Sequence, residues 1–316
     1  MGLIGRIYNF LAESSPIVEV TLRKIYWRFV SILSKYSTNK TNRIHRTDFV
    51  DFEEIVNFLK SCGIGEGDII VLHSSYGNLK PTSLNNIGII NRLLNLVGED
   101  GTLAAPVIRT YEKESTLTSQ EQMKDGCAKL ECLYDIDNTP ISSGVLPITL
   151  KNNPQSVTSE HPINPLTAVG KYAEQMMCHN IEGDAPSGHG PNSCWKFCAD
   201  HNAYIVYLGV DFGHHLTMQQ VVSESYEEHT PKNFFIKRRF VVQRGGEKKI
   251  IWIKERRRCM TKYLPERCIR KDVLKSGIFK TTNIKGIPVS VVKSKDFVNY
   301  FTSRRKYYPY YFLFRR

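Results

Sequence analysis

A helix followed by a short apolar strand occurs twice in the amino-terminal half of the chain, and this repeat most limits the folds open to it. In DFVDFEEIVNFLKSCGIGEGDIIVLHSSYGNL, apolar residues from Phe52 to Leu59 recur at helical spacing, glycines end the helix, and DIIVLHS follows as a strand. SLNNIGIINRLLNLVGEDGTLAAPV repeats the order of helix, turn and strand. Alternation of helices with buried strands predicts a layered α/β domain.

The first of these strands ends in the polar segment HSSYGNL. Ligands of open α/β sheets bind in the crevice outside the carboxyl ends of the strands. His73, Ser74 and Ser75 offer side-chain donors there. A plain turn would have a similar sequence, so the segment by itself leaves both interpretations open.

The carboxyl-terminal part predicts a hairpin and then a helix, two strands and a helix. NFFIKRRFVVQ and KKIIWIKE are strand-like and flank the turn RGGE, which favours a β-hairpin. We therefore expect one α/β domain over residues 47–300. A basic amphipathic helical extension and linker precede it over residues 1–46, and a basic aromatic tail follows over residues 301–316.

Charge is distributed unevenly along the 316 residues, whose formal net charge is +12. Residues 1–46 hold 8 basic and 2 acidic residues, residues 47–231 hold 10 and 24, and residues 232–316 hold 25 and 5. The basic ends carry none of the short signatures of nucleic-acid binding, so no nucleic-acid partner is expected. The acidic middle suits a cationic ligand.

The amino-terminal segment predicts a helix over residues 18–35 with an apolar stripe and basic residues largely off it. The stripe consists of Val18, Leu22, Ile25, Tyr26, Phe29 and Leu33. Such a helix binds an anionic membrane surface, or it packs on the domain or on a second copy of the chain. Peripheral membrane contact and a homodimer are therefore both open.

The eight cysteines follow no disulfide-scaffold spacing, and no signal peptide precedes them. No apolar run reaches the roughly 18 residues that a transmembrane helix needs. We expect a cytoplasmic protein with reduced thiols. The basic amphipathic helix also favours peripheral contact with the inner face of the membrane.

Four segments in a fixed order, over about residues 51–242, resemble the aminoglycoside 3-N-acetyltransferase family. They are GIGEGDIIVLHSSYGNL, GEDGTLAAPV, LYDIDNTPISSGVLPITLKNNPQSVTSEHPINPLTAVG and PSGHGPNSCWKFCADHNAYIVYLGVDF. In the third, TPxxxG followed by a proline and then by SEHP is long and specific. The resemblance implies acetyl-CoA-dependent transfer to an amine, usually on an amino sugar. It also implies a layered α/β/α sandwich.

The resemblance further implies which residues hold coenzyme A and its acyl end. They belong to the HSS block, to TPxxxG and to GPNS, which is similar to the family's GxxSP although Cys194 replaces the usual proline. The implied residues are His73, Ser74, Ser75, Thr139, Gly144 and Ser193.

The family's catalytic signature is a helical TxxHxxE after the strand LGVxF, and this chain departs from it. The pattern places Gln220 at the histidine position and Ser223 at the glutamate position, with Glu224 one residue later. An ammonium group must lose a proton before its nitrogen attacks a thioester, and glutamine cannot take that proton at neutral pH. Either the base has moved, or the protein no longer performs the family's reaction efficiently and serves as a binding or scaffold protein.

Several groups could act as a displaced base. They are His161, of the HP pair, with His214, His215, Glu224 and His229. No HExxH or comparable ligand spacing occurs, so no metal is expected.

The acidic middle of the chain offers carboxylates for an ammonium group, and the candidates near the resembling segments are Asp135, Asp137 and Asp184. The sequence thus predicts an N-acetyltransferase that binds acetyl-CoA and an amino sugar. Its basic ends favour a setting in surface-polysaccharide synthesis, where amino sugars are often linked to nucleotides or lipids.

Overall fold

Two β-sheets organise the protein, whose computed structural model describes residues 10–29, 49–212, 217–227 and 230–303. The strands in these ranges are β1 (Ile69–Ser74), β2 (Thr102–Pro106), β3 (Cys132–Asp135), β4 (Val157–Thr158), β5 (Leu166–Gly170), β6 (Tyr204–Leu208), β7 (Phe235–Arg244), β8 (Glu247–Arg256), β9 (Lys280–Ile284) and β10 (Ile287–Lys293). Seven form the main sheet in the order β4-β5-β2-β1-β6-β10-β9, and β3-β7-β8 form a smaller sheet.

The centre of the main sheet is parallel, since β1 pairs in parallel with both β2 and β6. The outer strands are antiparallel, with β5 beside β2, β4 beside β5, and β10 between β6 and β9. Because β1, β2 and β6 end at the same edge, the polar segments that follow them gather there.

Helices cover both faces of the main sheet. The helices are α1 (Pro16–Arg28), α2 (Phe52–Ser61), α3 (Tyr76–Leu79), α4 (Asn86–Val97), α5 (Glu112–Ser115), α6 (Ser119–Met123), α7 (Val145–Lys151), α8 (Ala173–Met177), α9 (Cys194–Asp200), α10 (Thr217–Ser225), α11 (Glu266–Ser276) and α12 (Ser294–Ser303). Apolar residues of α2, α4 and α7 form one core with the sheet, and those of α8 to α12 form the other.

Alternation along β1 shows how one strand supplies both cores. Ile69 and Val71 belong to the core beneath α8 to α12, whereas Ile70 and Leu72 belong to the core beneath α2, α4 and α7. Successive side chains of a strand point to opposite faces, so a strand buried on both faces is apolar throughout. The predicted α/β/α sandwich is confirmed.

The predicted hairpin is also confirmed. β7 and β8 pair antiparallel along their whole length, and Gly245 and Gly246 between them have φ of +56° and +89°. A two-residue loop with positive φ at both positions matches the twist of the flanking strands. The smaller sheet buries its own apolar cluster, in which Tyr134, Phe240 and Ile253 are 0% exposed.

α1 packs on the domain through a buried carboxylate. Glu19 is 0% exposed and accepts hydrogen bonds from the backbone N–H groups of Arg267 and Cys268, both at 3.0 Å. These groups lie at the start of α11, where Pro265 provides no side-chain cap. Glu19 therefore stabilises the amino terminus of α11 both as a hydrogen-bond acceptor and as a negative charge.

The predicted apolar stripe of this helix is not the face that packs on the domain. Ile25, Tyr26 and Phe29 are 51%, 40% and 46% exposed, whereas Glu19 and Val20 are buried. The contacts with α11 fix the orientation of the helix and turn much of the stripe outward. The described helix ends at residue 28, so the rest of the predicted helix and the tail after residue 303 lie outside the described residues.

Candidate active site

Two cavities share part of their walls. The sheet-end cavity, of about 430 Å³, is lined by His73 and Ser74 at the end of β1 and by Pro106 at the end of β2. The histidine cavity, of about 420 Å³, is lined by His189 and by residues of α1, α10 and β8. Both cavities are lined by Ile108, Asn164 and Gln220. The two therefore meet at these three residues.

His189 is held on the wall of the histidine cavity by α10. Its Nδ1 lies 3.2 Å from Oε1 of Glu224, and its backbone N–H donates to Oε2 of Glu224 over 3.2 Å. The hydroxyl of Ser225 donates to the carbonyl oxygen of His189 over 2.6 Å. Two consecutive residues of α10 thus fix both the backbone and the ring of His189.

The hydrogen bonds of His189 also assign its tautomer. An ionised carboxylate only accepts hydrogen bonds, so Nδ1 carries the proton that is shared with Glu224. The lone pair is then on Nε2, which lies 3.4 Å from Nδ2 of Asn164 at the junction of the cavities. An imidazole held in this way can accept a proton at Nε2.

Glu224 is suited to stabilise a protonated imidazole. Burial by itself would raise the pKa of its carboxyl group, but the hydrogen bonds from His189 and the charge of Arg256 act against burial. The resulting pKa lies below the ordinary value. Glu224 is therefore ionised at neutral pH and accepts the hydrogen bond from Nδ1 of His189.

Two glycines allow the segment around His189 to lie close to its neighbours. A Cβ on Gly188 would lie 2.7 Å from the carbonyl oxygen of Ile163, and a Cβ on Gly190 would lie 2.5 Å from Oγ of Ser187. A larger residue at Gly188 would meet backbone and displace the segment, and with it the ring of His189, whereas one at Gly190 would require the side chain of Ser187 to turn away.

Charged residues form much of the rest of the histidine cavity. They are Arg109, Glu114, Glu224, Lys254, Glu255, Arg256 and Arg258. Trp27 of α1 also lines this cavity. The amino-terminal extension therefore contributes an aromatic side chain to the site.

The sequence model of the aminoglycoside 3-N-acetyltransferase family matches residues 71–305, about three quarters of the chain. The chain belongs to this family. Among curated proteins, aminoglycoside N(3)-acetyltransferase VIII of Streptomyces fradiae is 24% identical over 260 residues, which cover 78% of this chain and 88% of that protein. The prophage-derived acetyltransferase-like protein YokD of Bacillus subtilis (strain 168) is 25% identical over 167 residues, which cover 51% and 60%.

Solved structures of aminoglycoside acetyltransferases share the fold. AAC-IIIb binary with CoASH aligns with a TM-score of 0.65 at 19% identity, covering 82% of this chain and 97% of that one. The apoenzyme of AAC(3)-IVa aligns with a TM-score of 0.64 at 18% identity, covering 86% and 94%. The predicted family, the α/β fold and the N-acetyltransferase class are confirmed, together with acetyl-CoA as co-substrate.

The family's TxxHxxE helix is present at the predicted place, as α10, but its residues have changed roles. Met218, Val221 and Val222 are buried in the core. Gln220 is half-buried and lines both cavities. Ser223 is 0% exposed, donates to the carbonyl oxygen of Gln219 and lines neither cavity. Of the two predicted positions, only Gln220 faces the site.

His161, the other predicted base, is enclosed by backbone groups. Its Nδ1 accepts from the N–H of Ile163 over 3.2 Å, and its Nε2 lies 3.4 Å from the carbonyl oxygen of Pro186. Burial lowers the pKa of His161 to about 4. It lines neither cavity. Three remaining candidates, His214, His215 and His229, lie outside the described residues.

The residues implied to hold coenzyme A are only partly brought together. His73 and Ser74 line the sheet-end cavity, but Ser75 and Ser193 do not. The hydroxyl of Ser193 instead accepts from the N–H of Lys196 as the N-cap of α9. The two remaining members of the set, Thr139 and Gly144, lie in the loop before α7 and do not line the cavity. Oγ1 of Thr139 accepts a hydrogen bond from the N–H of Asp135.

None of the predicted substrate-binding aspartates lines either cavity. Asp135 accepts hydrogen bonds from its own turn and from the side chain of Gln243. Asp137 is exposed. The side chain of Asp184 is 94% exposed and lies 3.5 Å from Nζ of Lys237. These assignments stay predictions, and the structure gives the aspartates surface and turn positions.

The sequence interpretation missed His189, Asn164, Arg256 and Trp27. The available signal for His189 was its position between two glycines in PSGHGPNS. Among the described residues, no group of three or more His, Cys, Asp or Glu is arranged to bind a metal ion.

Proposed function

We propose that this enzyme acetylates an amino group of an amino sugar, with His189 as general base and Glu224 as the residue that orients it. One observation carries the proposal: a buried His–Glu pair faces the junction of two cavities, each large enough for part of a substrate. Relatives with the same fold support an amino-sugar acceptor, since AAC-VIa has been solved with sisomicin.

In this proposal the sheet-end cavity takes the acetylated end of acetyl-CoA. Its wall combines apolar groups of Leu72, Ile108 and Trp195 with hydroxyl groups of Ser74, Ser142 and Ser143. Such a mixed wall fits the acyl-pantetheine chain, in which methylene groups alternate with amides. The acceptor then occupies the histidine cavity, and its amine meets the thioester near Asn164 and Gln220.

The reaction follows from these positions. Nε2 of His189 takes a proton from the acceptor amine, and the amine nitrogen attacks the thioester carbonyl carbon. The new C–N bond forms, the C–S bond breaks, and the sulfur leaves with the electron pair and takes the proton back from the imidazolium of His189. The carboxylate of Glu224 stabilises the imidazolium that forms. The side-chain amides of Gln220 and Asn164 are the nearest donors for the oxygen that becomes negative.

The proposal is tested with His189→Gln and a matched control. His179 forms the same type of pair with Glu182 over 2.7 Å, but both side chains are more than half exposed. We expect His189→Gln to lower kcat by about 10²–10⁴-fold, the usual contribution of a general base. His179→Gln should keep the wild-type kcat.

Binding of acetyl-CoA, measured by titration calorimetry, should be unchanged in both variants. If His189→Gln keeps more than a tenth of the wild-type kcat, His189 is not the base. If acetyl-CoA does not bind the wild type, the assignment of the sheet-end cavity fails.

The scaffold alternative depended on glutamine and serine at the expected catalytic positions. With His189 supplying the imidazole from another segment, Gln220 no longer argues against catalysis. The family match and the His–Glu pair both favour the enzyme.

We also propose that the enzyme works at an anionic membrane surface in surface-polysaccharide synthesis. No helix in the described ranges is long and apolar enough to cross a bilayer. α1, however, exposes Ile25 and Phe29 beside the exposed Lys24 and Arg28. Apolar and basic groups together bind anionic interfaces. The double variant Ile25→Ser, Phe29→Ser should co-sediment less with anionic vesicles than wild type does. Unchanged co-sedimentation would refute this proposal. Sedimentation velocity of the same proteins without vesicles tests the predicted homodimer.

A further inference from the structure

The carboxylates on the wall of the histidine cavity are already paired inside the protein. Glu114 bonds to Arg238 through Oε1 over 2.6 Å and to Arg258 through Oε2 over 2.9 Å. Both oxygens of Glu224 bond to His189. Glu255 bonds to Arg238, and burial raises the pKa of its carboxyl group. An ammonium group entering this cavity therefore meets little uncompensated negative charge.

Two arginines of the same wall keep guanidinium donors that have no hydrogen-bond partner among the described residues. The guanidinium of Arg256 makes no direct hydrogen bond or ion pair with the part of the chain that the structure describes, although the carboxylates of Glu224, Glu266 and Glu255 are near enough to interact with its charge. Arg109 is 7% exposed and donates only to the carbonyl oxygens of Thr139 and Ile136, while its Nε has no partner. Guanidinium donors left without a hydrogen-bond partner are costly, so an anionic ligand that accepts from Arg256 would stabilise this wall.

Strand geometry places this charge beside the base. Lys254 and Arg256 are two positions apart in β8, so both lie on one face of the strand. The N–H of Lys254 donates to the carbonyl oxygen of Pro186, three residues before His189. Arg256 is also close enough to Glu224 to lower the pKa of that carboxyl group. An anion bound by Arg256 would therefore lie near the amine that His189 deprotonates.

We propose that the acceptor is an amino sugar carrying an anionic group, a phosphate or a carboxylate, and that Arg256 binds this group. The inference rests on the proposed function, because it takes the histidine cavity as the acceptor site. A multiply cationic aminoglycoside would bring several ammonium groups to a wall whose carboxylates already have partners and whose unpaired donors belong to arginines. Such a substrate is disfavoured by repulsion as well as by desolvation.

The test compares a neutral-bodied amino sugar with its anionic derivatives and with a multiply cationic aminoglycoside. Glucosamine, its 6-phosphate, its 6-carboxylate and the aminoglycoside sisomicin are assayed with wild type, Arg256→Gln and the control Lys237→Gln. Lys237 is a cation of β7 that pairs at the surface with Asp184. We expect wild type to prefer the phosphate or the carboxylate by kcat/KM, and the better of the two identifies the anionic group.

In Arg256→Gln, kcat/KM for that anionic sugar should fall by about 10–100-fold, as for loss of a charged hydrogen bond. The loss of kcat/KM for glucosamine, which includes any effect of Arg256 on Glu224, should be at least tenfold smaller than the loss for the anionic sugar. Lys237→Gln should match wild type. Faster acetylation of sisomicin than of both anionic sugars, or an equal loss for all acceptors in Arg256→Gln, would overturn the proposal. A rise in KM for acetyl-CoA alone would assign Arg256 to the donor phosphates and overturn it as well.

Calorimetry without acetyl-CoA separates this proposal from the proposed function. The anionic sugar should bind wild type and Lys237→Gln, and bind Arg256→Gln at least tenfold more weakly. If this difference is found but no acetyl transfer occurs, the proposed reaction fails and the anion site stands. If the anionic sugar binds all three proteins equally, or binds none, the anion site is refuted whatever the transfer assay shows.

Discussion

His161 should make the protein less stable as the pH falls from about 7 to 5, and replacing it should remove that loss. Its ring is enclosed by backbone groups of Ile163 and Pro186, and burial lowers its pKa from the ordinary 6.5 to about 4. Between these values the unfolded chain binds a proton that the folded chain does not. Stability is therefore fully present above pH 6.5 and is lost as the pH falls towards 4.

The size of the loss follows from the two pKa values. One pKa unit corresponds to about 1.4 kcal/mol, so a difference of about 2.5 units gives at most about 3 kcal/mol. At about pH 5 the expected loss from His161 is about 2 kcal/mol, and at about pH 7 it is close to zero. We expect His161→Gln to abolish this part of the pH dependence, because glutamine has no proton to gain.

The assay is equilibrium urea unfolding at the two pH values. For each protein, the free energy of unfolding at about pH 5 is subtracted from that at about pH 7. The difference for His161→Gln is then subtracted from the difference for wild type. This second subtraction cancels the contributions of groups, such as Glu224, that are present in both proteins. His201→Gln, at an exposed helix terminus, serves as control and should keep the wild-type difference. If His161→Gln loses as much stability as wild type, the buried neutral ring is refuted. Loss of acetyl transfer in a folded His161→Gln variant would return His161 to the role of base.

The amino-terminal extension offers two further predictions. Glu19→Ala should lower the free energy of unfolding by about 2–3 kcal/mol, since it removes a cap and leaves two N–H groups of α11 unpaired. The control Glu53→Ala removes one exposed ion pair with Arg92 and should lower it by less than about 1 kcal/mol. Equal losses for the two variants in urea unfolding would refute the buried cap. Trp27→Ala should raise the KM for the acceptor by about 2–10-fold and leave the KM for acetyl-CoA unchanged. The control Phe29→Ala should match wild type in steady-state kinetics. A rise in the KM for acetyl-CoA instead would place Trp27 at the donor site.

Features written in local sequence could be predicted. The strand DIIVLHS and the helix before it follow from apolar spacing and from glycine, and the hairpin follows from RGGE. Each depends on residues within one segment, where the periods of helix and strand are visible. The helix α10 could be placed for the same reason, with its core face at Met218, Val221 and Val222.

Features that depend on distant pairing could not be predicted. His189 and Glu224 are 35 residues apart, and nothing in the periodicity of either segment marks the pair. The motif pointed to residues 220 and 223, while the side chain that reaches the imidazole is one position further along. The orientation of α1 was missed for a similar reason, because a polar contact of Glu19 with α11 decides it rather than the apolar stripe.

The same contact sets an order of events during synthesis. The carboxylate of Glu19 meets its partners at residues 267 and 268, which are 248 and 249 residues later in the chain. At about 5–20 residues per second, a nascent chain carries this carboxylate for roughly 12–50 s before α11 is made. During that time Trp27 has no cavity to line, because the segments from β8 to residue 261 are also missing. The histidine cavity therefore gains Trp27 only after residues 267 and 268 have been made, and a chain truncated before α11 should lack the contact that orients α1.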